Sequence, residues 1–162
     1  YSGRALGPAA DEGRAYFETI AKARTAYVKE HGYGGGVFNF PRLYTDHLLS
    51  QAGEHLREAA VKVDDAPKTY RNRVAFVRAG LTYKELLVDT IKIMESYWRE
   101  ADNRLAKRAL TNWKEMERLC IENPYAINWG PVRSTTPRMI GLHPDYSNPK
   151  WKPNRANDLD RN

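Results

Sequence analysis

Residues 67–100 read PKTYRNRVAFVRAGLTYKELLVDTIKIMESYWRE. Oily side chains return every three or four positions through this stretch. Tyr70, Val74, Val77, Leu81, Val88 and Ile91 make one stripe, interrupted only at Lys84 or Glu85. Phe76, Tyr83, Leu87, Met94 and Trp98 make a second. Two adjacent stripes form a wide apolar arc, so the stretch predicts one long helix packed by more than one neighbour. Pro67 suits the opening of such a helix, because a missing N–H costs nothing at the first helical position. Asp65 stands close enough to accept the free N–H groups there. Gly80 lies in the helix interior, at a cost of roughly 1 kcal/mol against alanine, which points to a close helix crossing or a slight bend.

Upstream, Thr45 is a good N-cap, and Leu48, Ala52, Leu56, Ala59 and Val63 follow it at helical spacing, up to Asp64-Asp65. Downstream, Asp102 can cap a helix carrying Leu105, Ala109, Trp113, Met116 and Cys120, which Asn123-Pro124 ends near Glu122. A first helix runs from about Pro8 to His31, with Tyr16, Ile20, Ala23 and Tyr27 on one face and Asp11 and Glu12 opposite the positive end of its dipole. Gly32 stops it. Short connections between the later helices favour antiparallel neighbours. The expected fold is therefore all-α: an up-and-down bundle of about four helices over 1–128, with an extended Pro-rich C-terminal tail over 129–162.

Two segments break the helical pattern. Residues 33–44 combine Gly34-Gly35-Gly36 with Val37, Phe38, Phe40, Pro41, Leu43 and Tyr44. A solvated linker would not carry so many rings, so this loop either packs over the core or meets a neighbour or ligand. The tail is punctuated by Pro131, Pro137, Pro144, Pro149 and Pro153 and loses all period. It also holds Trp129, Arg133, Tyr146 and Trp151, an unusual set for a disordered tail. The tail is expected to lie extended on the bundle or a partner, frayed after Trp151. Phe38, Phe40, Tyr44, Trp129, Arg133, Tyr146 and Trp151 are thus the candidate contact residues for a ligand or partner.

Composition limits what else the chain can be. Its 162 residues, 41% hydrophobic and 28% charged, fit one soluble domain. The first residue is Tyr1 rather than Met, as expected of a processed or excised piece. No apolar run is long enough to span a bilayer, which argues against a membrane partner. The net charge is +6, but the basic residues alternate with acidic ones, as in Lys29-Glu30, Arg57-Glu58 and Lys114-Glu115. That patterning describes solvated faces and argues against nucleic acid as a partner.

Residue spacing supplies no catalytic or metal signature. His31, His47, His55 and His143 form no HxxxH or HExxH, and no CxxC, GxSxG, P-loop or GxGxxG is present. No metal or cofactor is expected. Glu85 and Asp89 are four apart and can share a cleft, but a solvated or Arg-paired face is the ordinary reading of such a pair. Cys120, the single cysteine, falls on an apolar stripe and reads as a small buried hydrophobe.

Several pieces resemble a known family. Leu6-Gly7-Pro8-Ala9-Ala10 with Tyr16-Phe17, Tyr44-Thr45 before Leu48-Leu49, Ala59-Ala60, and Arg73-Val74-Ala75-Phe76-Val77-Arg78 leading to Leu81 and Tyr83 resemble the helical C-terminal region of the domain of unknown function 4838 family. The likeness covers roughly residues 3–100. It implies a parent that joins a glycoside-hydrolase-like barrel to this helical region, is secreted or periplasmic, and does its sugar chemistry in the barrel. No catalytic residue of that family matches a position here. The resulting expectation is a non-catalytic accessory domain that buttresses an upstream barrel of the same protein and lines its cleft, with carbohydrate as a further contact. A self-standing helical protein-interaction module is the alternative. A small helical enzyme would need a buried polar cluster of perturbed ionisation inside a concave pocket.

Overall fold

A computed structural model describes residues 5–34, 36–100 and 102–127; the tail expected over 129–162 lies outside them. The regular elements among the described residues are all helical, with no strand among them. A 3-10 turn at Gly7–Ala9 leads into α1 (Ala10–His31). A second 3-10 turn at Val37–Asn39 runs into a single α-turn, α2 (Phe40–Leu43). Then come α3 (Asp46–Lys62), α4 (Lys68–Glu100) and α5 (Asn103–Glu122). The all-α bundle expected from the sequence is the observed class.

The helix ends follow local chemistry. Gly32 takes φ +76° and its N–H closes on the Val28 carbonyl at 2.8 Å, the left-handed stop that glycine alone adopts freely. Thr45 Oγ1 accepts the Leu48 N–H at 3.2 Å, and Asp102 Oδ1 accepts the Arg104 N–H at 2.8 Å; each satisfies a donor that the first helical turn leaves free. Pro67 stands one place earlier than expected, just before α4, where its carbonyl accepts the Tyr70 N–H. The α-helix begins at Ala10 and not at Pro8, because Gly7 takes φ +57° and turns the chain into a 3-10 turn first.

Contacts gather the chain into two compact units parted between Glu85 and Leu86, inside α4. In the first, α1 packs on α3. Leu6, Ala9, Ala59, Val63 and Val74 bury together, with Tyr70 against them. Burying side chains of this kind contributes about 1.5–3 kcal/mol apiece for the larger ones. Arg73 Nη1 ties the start of the chain to α4 by donating to the Ala5 carbonyl at 2.9 Å. In the second unit, the rest of α4 and α5 fold back on each other. Leu87, Val88, Ile91 and Met94 are buried, as are Ala109, Trp113, Met116 and Cys120. Thr90, also buried, donates its hydroxyl to the Leu86 carbonyl at 2.7 Å, so the polar group is satisfied inside its own helix.

Two expectations for α4 change. The wide apolar arc exists only in its later part. Leu87 and Met94 of the second stripe are buried and Tyr83 and Trp98 are half-buried, but Phe76 is 45% exposed. Gly80 marks no close crossing: a Cβ built there meets nothing within 4 Å among the described residues.

Candidate functional site

The segment 33–44 is not a loop throughout. Pro41 sits in the first turn of α2, where its missing N–H is harmless. The segment presents its rings in two ways. Phe40 and Tyr44, one helical turn apart, meet edge to face with centroids 5.5 Å apart. The Lys84 ammonium lies 4.3 Å from the Tyr44 ring centroid and holds it from the α4 side by a cation–π contact. Tyr33 and Phe38 instead point outward, 59% and 41% exposed. The sequence-predicted set therefore divides. Phe40 and Tyr44 anchor the segment, and Phe38 faces solvent. Trp129, Arg133, Tyr146 and Trp151 lie outside the described residues.

Beneath the segment, burial shifts the ionisation of a polar cluster. It raises the Tyr16 phenol, which the nearby Tyr44 and Glu85 raise further. It raises the Tyr44 phenol too, against a smaller opposing pull from Arg24. It lowers the Lys84 ammonium, and it raises the Glu85 carboxyl against the attraction of Arg78 and Arg57. In each case desolvation of the charged form is the largest cause.

A groove of about 390 Å³ runs between the second half of α3 and the first half of α4. Leu56, Ala60, Val63, Val74 and Ala75 give it an apolar lining, and Arg57, Arg71 and Arg78 bring guanidiniums to it. Arg71 donates to the Asp64 carbonyl at 3.2 Å, and Arg78 to the Gly53 carbonyl at 3.4 Å. Arg57 pairs with Glu54 along α3. A guanidinium has five N–H donors, so one backbone bond leaves Arg71 and Arg78 with capacity for an incoming anion. The sequence reading missed these arginines because charge interspersed with Glu looks like solvated surface. The available signal was position: each directly follows a residue of the apolar face (Leu56, Tyr70, Val77).

None of Tyr16, Tyr44, Lys84 and Glu85 lines the groove, although Glu85 stands beside Arg78 and Arg57 at its rim. Asp89 accepts from Asn112 Nδ2 at 2.7 Å and lies 3.9 Å from Arg108, which makes it the Arg-paired face that the spacing of Glu85 and Asp89 ordinarily means. Cys120 is 1% exposed, and burial, with Glu117 adding to it, pushes its thiol up to about 11. It is a packed hydrophobe, far from a ready thiolate. Among the described residues no three His, Cys, Asp or Glu side chains gather to hold a metal, and no helix is long and apolar enough to cross a membrane. The chain matches no family model, no curated protein and no solved structure.

Proposed function

We propose that this chain is a non-catalytic helical accessory module that docks on a folded neighbour through the 33–44 segment. The observation that carries the reading is the pairing of exposed Tyr33 and Phe38 with the anchored Phe40 and Tyr44. Phe38, on the 3-10 turn that runs into the braced α2, gives up little freedom when covered, Tyr33 adds a second exposed ring, and aromatic residues are enriched where proteins meet. The neighbour implied by the sequence resemblance is a glycoside-hydrolase-like barrel of the same protein, in a secreted or periplasmic setting. On that reading the segment buttresses the barrel and contributes to its sugar cleft.

The test is to co-express the chain with the segment encoded upstream in its reading frame and to follow the complex by sedimentation velocity. The expected result is a one-to-one complex that Tyr33→Ala with Phe38→Ala weakens at least tenfold, the scale of a hot-spot pair. A reading frame with no folded upstream domain, or a complex indifferent to both substitutions, ends the accessory reading. The groove between α3 and α4 favours a second reading, a self-standing protein-interaction module, because it offers a recognition surface that needs no barrel.

A further inference from the structure

The arrangement of charge along the α3–α4 groove specifies an occupant. α3 and α4 are joined by the tight turn at 63–67, where the Ala66 N–H closes on the Val63 carbonyl at 3.0 Å, so the two helices run back along each other. Arg71 lies at the turn end, bonded to the Asp64 carbonyl. Arg78 and Arg57 lie at the other end, where both guanidiniums come within 3.6 Å of a Cβ built on Gly53, with Glu85 Oε1 at 3.9 Å from the same point. Arg71 and Arg78 are seven residues apart on one helix, about 10 Å along its axis. Between them the lining is apolar: Val74 and Ala75 on α4, and Leu56, Ala60 and Val63 on α3. Asp64, at the turn end, is the lone carboxylate in that lining, set against three guanidiniums. Glu54 engages Arg57 from the rim and Glu85 attracts Arg78 from beyond it, so Arg71 is the cation with most to offer and Arg78, bonded to one carbonyl, keeps donors to spare.

We propose that this groove binds an amphipathic acidic segment of a partner protein. The fitting segment is a helical one with two carboxylates seven residues apart and leucine-like side chains at the third and fourth positions after the first. The carboxylates would meet Arg78 and Arg71, and the apolar pair would fill the floor between them. Helix-in-groove recognition reads anchors at this spacing, and arginine takes a carboxylate in paired hydrogen bonds. The basic tail of this chain, with Arg133, Arg138, Lys150, Lys152 and Arg155, carries the wrong charge to compete for the site. The proposal deepens the second reading above, whose groove it fills, and it uses none of the residues on which the accessory reading stands.

The experiment is fluorescence anisotropy on the full chain with two labelled peptides of identical composition. In one the glutamates flank the leucine pair at seven-residue spacing; in the other they are adjacent. The expected result is at least tenfold tighter binding of the spaced peptide. Arg71→Gln should weaken that peptide at least fivefold, whereas Lys114→Gln on α5, of equal charge change, should leave it alone. Ala75→Trp, which fills the floor without removing charge, should abolish the preference, with circular dichroism verifying that each variant is folded. Equal affinity for both peptides, or equal loss in Arg71→Gln and Lys114→Gln, would mean attraction to net charge alone and overturn the proposal. Arg71-dependent binding to vesicles one quarter phosphatidylserine, without peptide discrimination, would overturn it in favour of a lipid surface.

Discussion

Gly7 and Gly32 allow the cost of a positive φ to be separated from the cost of crowding within one chain. Both residues are left-handed, at φ +57° and +76°. A Cβ on Gly32 would meet nothing within 4 Å among the described residues, whereas one on Gly7 would lie 2.6–2.8 Å from three carbons of the Tyr70 ring. Gly32→Ala therefore reports the backbone term, about 1 kcal/mol. Gly7→Ala carries the same term plus a ring that must move. Tyr70 is half-buried against Ala59, Val63 and Val74, so it can yield only by disturbing the small core that joins the start of the chain to α3 and α4. Forcing a methyl into a packed place costs about 1–3 kcal/mol, which brings Gly7→Ala to about 2–4 kcal/mol in all.

Urea unfolding followed at 222 nm measures both variants, and a double-mutant cycle with Tyr70→Ala isolates the crowding. Removing the ring should return the Gly7→Ala penalty to the Gly32→Ala value, a coupling of about 1–3 kcal/mol. If Gly7→Ala costs the same within about 0.5 kcal/mol whether or not the ring is present, the close approach of Tyr70 does not shape this turn and the reasoning fails.

Two further outcomes follow from the same coordinates. Gly80→Ala should raise stability by about 0.5–1 kcal/mol, because the position is mid-helix, has a helical φ and leaves room for a methyl; a loss of stability in the same urea assay would refute the open space around Gly80. Cys120 sets a pH dependence: its thiol stays protonated in the folded chain up to about 11 but ionises near its ordinary 9.0 when unfolded. Between those values the unfolded chain binds fewer protons, so stability should fall as pH rises through the window, and Cys120→Ala should flatten that slope in urea titrations at pH 9, 10 and 11.

The helices were legible because their signals are local and redundant. The stripe Leu48, Ala52, Leu56, Ala59 and Val63 is buried at every position, and Thr45 and Asp102 cap where their side chains permit. The fourth predicted helix falls on Asn103–Glu122 because a cap at one end and Asn-Pro at the other leave it no freedom to slide. Legibility failed where structure is shorter than its own period. A 3-10 turn and one α-turn at 37–43 cannot show a repeat, so glycines and rings were all that could be read there. Phe76 failed differently. Periodicity gives the angle at which a side chain leaves a helix, but whether another element stands there is a property of the whole fold, and at Phe76 nearly half of the side chain stays in water.

The same distinction explains the candidate site. Phe38 and Tyr44 could be picked out from composition alone, because rings in a glycine-rich stretch are conspicuous wherever they end up. Which of them braces and which faces outward depended on Lys84, forty residues away in sequence and 4.3 Å away in space. The groove was harder still. Arg57 and Arg71 belong to different helices, and each looks like one more solvated charge on its own helix. They come to one cavity only because the turn at 63–67 folds α4 back along α3 and sets the polar margin of one stripe beside that of the other. A recognition surface made from the edges of two amphipathic helices is therefore encoded in the turn as much as in the arginines. Lengthening that turn would shift the register of the margins and part Arg71 from Arg57 without altering either residue.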